Sequence, residues 1–312
     1  MKFPFKVIAD AEFDVVGFGT NAVDFLIQVP EYPAFNSKVE LIDYIQAAGG
    51  EVATTVVGLR RLGLKTAYAG RLGSDQAGDF GILSLNDEGV DTTFAQQVPG
   101  ANTQIAFIII DARSGERTVI WQRDQKLAYT AADAPLNALQ STKVLHFTPH
   151  DAAACTEMAD EARAKGVLVS LDIDNIFDGL DRLLPMVDIL IASAEFPNKL
   201  LGIGDHRMAL TELQRRFGCG VAGVTLGDAG SLLLCGGQFI ETGGFPVPGG
   251  CLDTTGAGDA FRVGLLYGLL MGESVEDSAR MANGVAALKC RQIGARTALP
   301  DVGELHSLLK KT

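Results

Sequence analysis

The sequence predicts an α/β protein, a mainly parallel central sheet with helices on both faces, accompanied by a second and smaller β-sheet. Three observations predict it. Short apolar runs alternate with amphipathic segments along most of the 312 residues. Two stretches interrupt that alternation with strand-like patterning and no intervening helix. The string Asp253-Thr254-Thr255-Gly256-Ala257-Gly258-Asp259-Ala260-Phe261 then joins a Gly-rich turn to an apolar helical run, Val263 to Met271.

The elements follow in chain order. Asp14 to Gly19 reads as the first strand. Ala22 to Gln46 alternates apolar and polar residues without helical spacing, as in Val39-Glu40-Leu41-Ile42-Asp43. Val52 to Leu62 is amphipathic, and Thr66 to Ala69 is a strand. Thr103 to Asp111 and Arg117 to Arg123 flank a Ser114-Gly115 turn and read as a β-hairpin. Beyond it, the strands Val144 to Phe147, Val167 to Leu171, Ile189 to Ala192 and Val221 to Thr225 alternate with the helices Ala152 to Lys165 and Met208 to Phe217. Such βα units build a parallel sheet whose ligands bind beyond the C-terminal strand ends. The strands without covering helices, about 21–47 and 101–125, are expected to form a small sheet inserted in a single domain spanning 1–312. Gly243 to Gly250, with Pro246 and Pro248, reads as a loop leading into the Asp253 string.

Composition narrows the function. With 47% hydrophobic residues the chain can bury one large core. A net charge of −12 argues against nucleic acid or an anionic membrane as partner. The five cysteines (Cys155, Cys219, Cys235, Cys251, Cys290) include no Cys-x-x-Cys and suit a reducing compartment. The polar start lacks a signal-type apolar segment and no run of 18 apolar residues occurs, so a cytoplasmic protein is expected.

The chemistry centres on residues 253–261. Gly256, Ala257 and Gly258 can present successive N–H groups at a helix start, where the partial positive charge suits a phosphate or a developing anion. Asp259 adds a carboxylate at the mouth of that cradle, out of place unless it acts on what the cradle holds. The helix end is expected to draw its pKa down, so that it stays ionised and works as a base by position. Gly17-Phe18-Gly19 with Ala22 has the outline of a dinucleotide turn, but strand patterning follows it and no ribose-binding acid stands where one is required. His146 and His150, at a strand end, are expected to be structural.

Asp253 to Asp259 resembles the C-terminal signature of the ribokinase/PfkB sugar and nucleoside kinases. Ala48-Gly49-Gly50-Glu51-Val52-Ala53, Gly58 to Gly63 and Gly70-Arg71-Leu72-Gly73-Ser74-Asp75 resemble the N-terminal one, in the order the family requires. The resemblance implies a ribokinase-like three-layer α/β/α fold with a β-sheet lid that also serves as a homodimer surface. It implies an ATP-dependent phosphotransferase acting on a hydroxyl of a small sugar or acidic sugar derivative, with Mg²⁺ as cofactor. A nucleoside kinase, or a kinase-like sugar sensor without turnover, remains open beside it.

Residue by residue, the resemblance makes Asp259 the base and Gly256, Ala257 and Gly258 the anion hole. Thr225, Gly227 and Gly230 would border the nucleotide phosphates and ribose, and Asn283 the adenine. Asp24, Gly49 and Gly50 would hold the sugar, with Asn102 and Gln104 facing it. Thr54 stands where the family commonly has Asn, a departure from ribokinase itself. Arg117 and Arg123 lie an even number of residues apart, hence on one strand face; from a lid, Arg123 would clamp an acidic substrate group. The family's metal-organising Asn-x-x-Glu is replaced by Ser193-Ala194-Glu195-Phe196, leaving Glu195 displaced by one residue, with Asp172 and Asp174 as substitutes. Asp253, Thr255, Gly294 and Ala298 match the positions of a K⁺ site.

Overall fold

The computed structural model describes residues 1–310. The chain enters β1 (Phe13–Phe18), then departs into β2 (Ala22–Val29) and β3 (Asp43–Gly49). It returns through α1 (Glu51–Arg61), β4 (Thr66–Gly73), α2 (Gln76–Asp87) and β5 (Asp91–Val98). A second excursion forms β6 (Ile105–Asp111) and β7 (Arg117–Gln122). Next come β8 (Thr142–Phe147), α3 (Ala152–Ala164), β9 (Leu168–Ile173), α4 (Leu180–Leu183) and β10 (Ile189–Ser193). They are followed by α5 (Phe196–Leu201), α6 (His206–Phe217), β11 (Val221–Thr225) and the hairpin of β12 (Ser231–Cys235) and β13 (Gln238–Thr242). Helices α7 (Ala257–Leu270), α8 (Val275–Lys289) and α9 (Val302–Leu309) end the described chain.

Nine strands form one sheet in the order β13-β12-β11-β10-β9-β8-β1-β4-β5. All neighbours from β11 to β5 run parallel, and β12 and β13 are antiparallel. Parallel strands are buried on both faces, which is why the central ones read as continuous apolar runs such as Ile189-Leu190-Ile191-Ala192. One face packs on α1, α7 and α8 through Val52, Val56, Leu265 and Val285. The other packs on α3 and α6 through Met158, Ala162 and Leu213. The result is the expected three-layer sandwich.

β2, β3, β6 and β7 make the small sheet, in the order β3-β2-β6-β7. Its alternation decides two faces. Leu26, Ala106, Ile108 and Ile110 turn inward and are buried, whereas Phe25 stacks on Phe107 and Tyr44 on the outer face at centroid distances of 5.1 and 6.2 Å. Asp75 ties this sheet to the main domain. Its carboxylate caps α2 through Gly78 N and accepts from Thr103 N and Oγ1 beside β6.

The differences from the sequence reading are local. Val39 to Ile42 form no strand; they lie in an exposed loop before β3, because no facing strand covers their apolar side chains. β5, β13 and α2 have weaker apolar patterns and are not predicted by the sequence; nor is β12, although its Leu232-Leu233-Leu234 run is buried. The five cysteines are free thiols. No helix among the described residues is long and apolar enough to cross a membrane.

Candidate active site

A cavity of about 1010 Å³ opens between the small sheet, the strand ends of the main sheet and the start of α7. Asp24, Gly50, Thr225, Gly227, Gly230, Gly256, Ala257, Gly258, Asp259 and Asn283 all line it, bringing together residues more than two hundred positions apart. The two signatures therefore form one site.

Gly256 caps α7 in the left-handed region at φ 76°, and a Cβ there would stand 2.9 Å from that of Ala295. Only glycine fits. Upstream, Asp253 is fully buried and staples the loop: Oδ1 accepts from Thr255 N at 2.8 Å and Thr255 Oγ1 at 2.6 Å, and Oδ2 accepts from Gly294 N at 2.8 Å. The run of free N–H groups at this turn is shorter than expected. Ala257 N–H donates to Thr254 O at 3.1 Å, so Gly258, in the first helical turn, keeps the donor for an incoming anion.

Asp259 is not drawn down as a helix-end carboxylate. Its pKa is pushed up to about 8, first by burial and then by the negative charge of Asp172 on β9. Desolvation in a closed site outweighs the helix end. Asp172 is itself raised to about 6 by burial, and because the two carboxyl groups interact neither gains or loses its proton independently of the other. Arg262, one turn further along α7, holds this pair in place. It lies 2.5 Å from Asp172 Oδ1 and donates to Gly258 O at 2.9 Å and to Ile191 O at 3.0 Å. No sequence pattern singled out Arg262; a lone arginine in the apolar face of a helix was the available sign.

On β2, Asp24 is buried and its pKa is raised to about 7 by desolvation, with Arg296 opposing the shift. Gly49 does not line the cavity. It gives way to Asp24, since a Cβ at residue 49 would stand 1.9 Å from the Asp24 carboxylate. Four polar atoms of lining residues are buried without a hydrogen-bond partner: Thr20 Oγ1, Gln104 Oε1, Arg262 Nε and Glu51 Oε2, the last with His150 Nδ1 3.6 Å away. Burial, followed by the charges of Asp259, Asp172 and Asp174, pushes the Glu51 carboxyl well above the usual range. Unsatisfied buried polar atoms are costly, so a site lined with them is built for a ligand that supplies donors and acceptors. Thr20 and Glu51 escaped the sequence reading because each looks like an ordinary turn or helix-start residue.

Several expected contacts are not formed. Thr54 is wholly buried in α1 and faces no cavity. Asn102 is exposed outside it, with its N–H on Asp124. Arg123 lies just past the end of β7, where the chain turns, so the strand-face argument does not reach it. Its guanidinium forms a bidentate pair with Asp151 at 2.9 and 2.6 Å and also donates to Leu127 O. Arg117 does line the cavity and donates to Thr254 Oγ1 at 3.1 Å. His146 is structural, bonded to Ser170, but His150 lines the cavity between Trp121 and Phe177. Asn283 lines it too, with its amide nitrogen committed to Ser231 Oγ and Thr242 O, so it braces the β12–β13 hairpin.

The metal expectations divide. Glu195 is exposed before α5 and outside the cavity, and the carboxylate of Asp253 is saturated by backbone and hydroxyl donors. Thr255 Oγ1 donates its proton to Asp253. No three His, Cys, Asp or Glu side chains among the described residues converge as a metal cage. Asp172 and Asp174 nevertheless offer oxygen ligands in the cavity wall, which suits Mg²⁺, an ion that keeps most of its waters and bridges phosphates.

A doubly wound sheet with an anion-binding helix start, a buried carboxylate and a polar cavity under a second sheet is the architecture of a phosphotransferase acting on small hydroxylated molecules. Residues 13–302 match the pfkB family, and the chain belongs to these carbohydrate kinases. A nucleoside kinase of Methanothermobacter thermautotrophicus is 25% identical over 93% of this chain and 94% of its own. Fructokinase-2 of Solanum lycopersicum is 29% identical over 95% of this chain and 96% of its own. The structure of Arabidopsis thaliana ribokinase complexed with ribose and ATP superposes with a TM-score of 0.80 at 23% identity, covering 96% of this chain and 99% of that one.

Proposed function

We propose that this carbohydrate kinase transfers the γ-phosphoryl group of ATP to a hydroxyl of a small, polyhydroxylated, sugar-containing acceptor, with Asp259 as base. The observation that carries the reading is the position of Asp259 beside the open donor of Gly258, in a cavity that Asp24 also lines. Phosphoryl transfer needs in-line placement and relief of charge more than covalent help. The acceptor hydroxyl is held by Asp24 and by the orphaned atoms of Thr20, Glu51 and Gln104. Asp259 takes its proton as the bond to phosphorus forms, and the elevated pKa gives it the basicity for that step. The first-turn donors of α7 and Arg117 face the transferred group. The nucleotide lies along Thr225, Gly227 and Gly230, where Gly230 at φ 100° lets the chain turn tightly against Thr242. Mg²⁺ bound with the nucleotide near Asp172 and Asp174 would neutralise the phosphate oxygens.

The small sheet acts as the lid that excludes water from the transfer. Its outer stripe of Tyr44, Phe107 and Ile120 is exposed, which supports a homodimer through this face. ADP release measured with ATP and a panel of neutral sugars, sugar acids, sugar phosphates and nucleosides tests the activity. Release that no acceptor stimulates sinks it.

A further inference from the structure

Lys289, the last residue of α8, is fully buried. Its Nζ donates to Asp253 O at 2.8 Å and lies 3.6 Å from Asp253 Oδ2. An ammonium group is thus enclosed against the residue that fixes the loop into Gly256, Ala257 and Gly258. The K⁺ expectation drew on Asp253 and Thr255 from one segment and on Gly294 and Ala298 from another. Those segments do meet, since Gly294 N–H donates to the Asp253 carboxylate, but Asp253 O and Ala298 O already accept hydrogen bonds from cationic side chains. Asp253 O faces Lys289, Thr255 Oγ1 faces Asp253, and Ala298 O accepts from Arg291 at 3.4 Å. A second cation beside the enclosed Lys289 ammonium would be repelled by it, so the residues present do not fit an added monovalent ion.

We propose that the ammonium of Lys289 takes the place of a monovalent cation beneath the anion-hole loop, making the protein independent of K⁺. An ammonium and a K⁺ ion have similar radii and each satisfies carbonyl and carboxylate oxygens. Lys289 also lies in the last turn of α8, where helix polarity favours a cation. The buried negative charge of Asp253 is thereby balanced by a group that cannot dissociate, and the loop is held whether or not salt is present. The inference on turnover rests on the kinase reading; the inference on the cation site does not.

Turnover and melting temperature are measured in KCl, NaCl and tetramethylammonium chloride at equal ionic strength. The wild type is expected to vary by no more than about twofold in rate and to show no K⁺-specific rise in melting temperature, as linkage demands of a protein without such a site. Lys289→Met keeps the chain's bulk and removes the charge. It should lower the melting temperature by several degrees and turnover by about tenfold or more, since it leaves a buried carboxylate without its cation. Lys289→Ala leaves room for an ion, and K⁺ or NH₄⁺ should restore part of both losses relative to tetramethylammonium. Activation or stabilisation of the wild type by K⁺ overturns the proposal. So does a Lys289→Met protein with unaltered rate and melting temperature, or a Lys289→Ala protein indifferent to K⁺ and NH₄⁺. If no acceptor is turned over, the melting series still decides the cation site, separately from the kinase reading.

Discussion

The Arg262 guanidinium lies 2.5 Å from the Asp172 carboxylate, and from that position it fixes the second acid of the site beside Asp259. The same guanidinium holds Gly258 O, so one side chain couples the anion-hole turn to β9. Asp259, the proposed base, therefore lies in a charged, desolvated setting that no single segment provides.

Asp259→Asn should lower kcat by about 10²–10⁴-fold, the usual scale for a lost general base, while acceptor binding survives. The wild-type kcat/KM should fall as pH drops below about 8, because the basic form of Asp259 is then lost. Asp172→Asn removes a charge that raises Asp259, so this acid limb should move to lower pH. A limb that stays in place in the Asp172→Asn profile refutes the coupling.

Gln104→Ala should raise the acceptor KM by roughly three- to tenfold, the value of one hydrogen bond to a neutral group, with KM for ATP unchanged. Initial-rate measurements varying each substrate in turn separate the two. An equal rise for ATP would remove Gln104 from the acceptor side.

Arg123→Ala should destabilise the protein by about 3 kcal/mol, as expected when one partner of a largely buried ion pair is removed. Urea unfolding measures it. The ratio of neutral to acidic acceptor activity should not change, because the guanidinium is bound to Asp151 outside the cavity. A selective loss of acidic acceptors would restore the clamp.

Asp24 makes the fold sensitive to pH. Its folded pKa of about 7 lies above the unfolded value, so the folded state binds the extra proton. The contribution is present in full below about pH 4 and is lost as pH rises through 7. Asp24→Asn should flatten the decline in melting temperature across that window, and a variant that declines as steeply as the wild type excludes Asp24 as its source.

The sequence by itself determined the layered fold and the segments that meet at the cavity. Val15, Val16 and the Ile189 to Ala192 run are apolar because parallel strands are buried on both faces, and that signal is local. Gly256 is required by its own backbone angle, and the Asp253 to Asp259 string carries its conformation with it. The tertiary structure decided the charges and the partners. Asp259 is raised because Asp172, eighty-seven positions earlier, shares its enclosure. Arg123 is removed from the site by Asp151, and Thr20, Glu51 and Gln104 enter it only because three separate segments converge. Desolvation and ion pairing depend on what surrounds a group in space. Periodicity along the chain records which side faces the core, and leaves open which charge waits there.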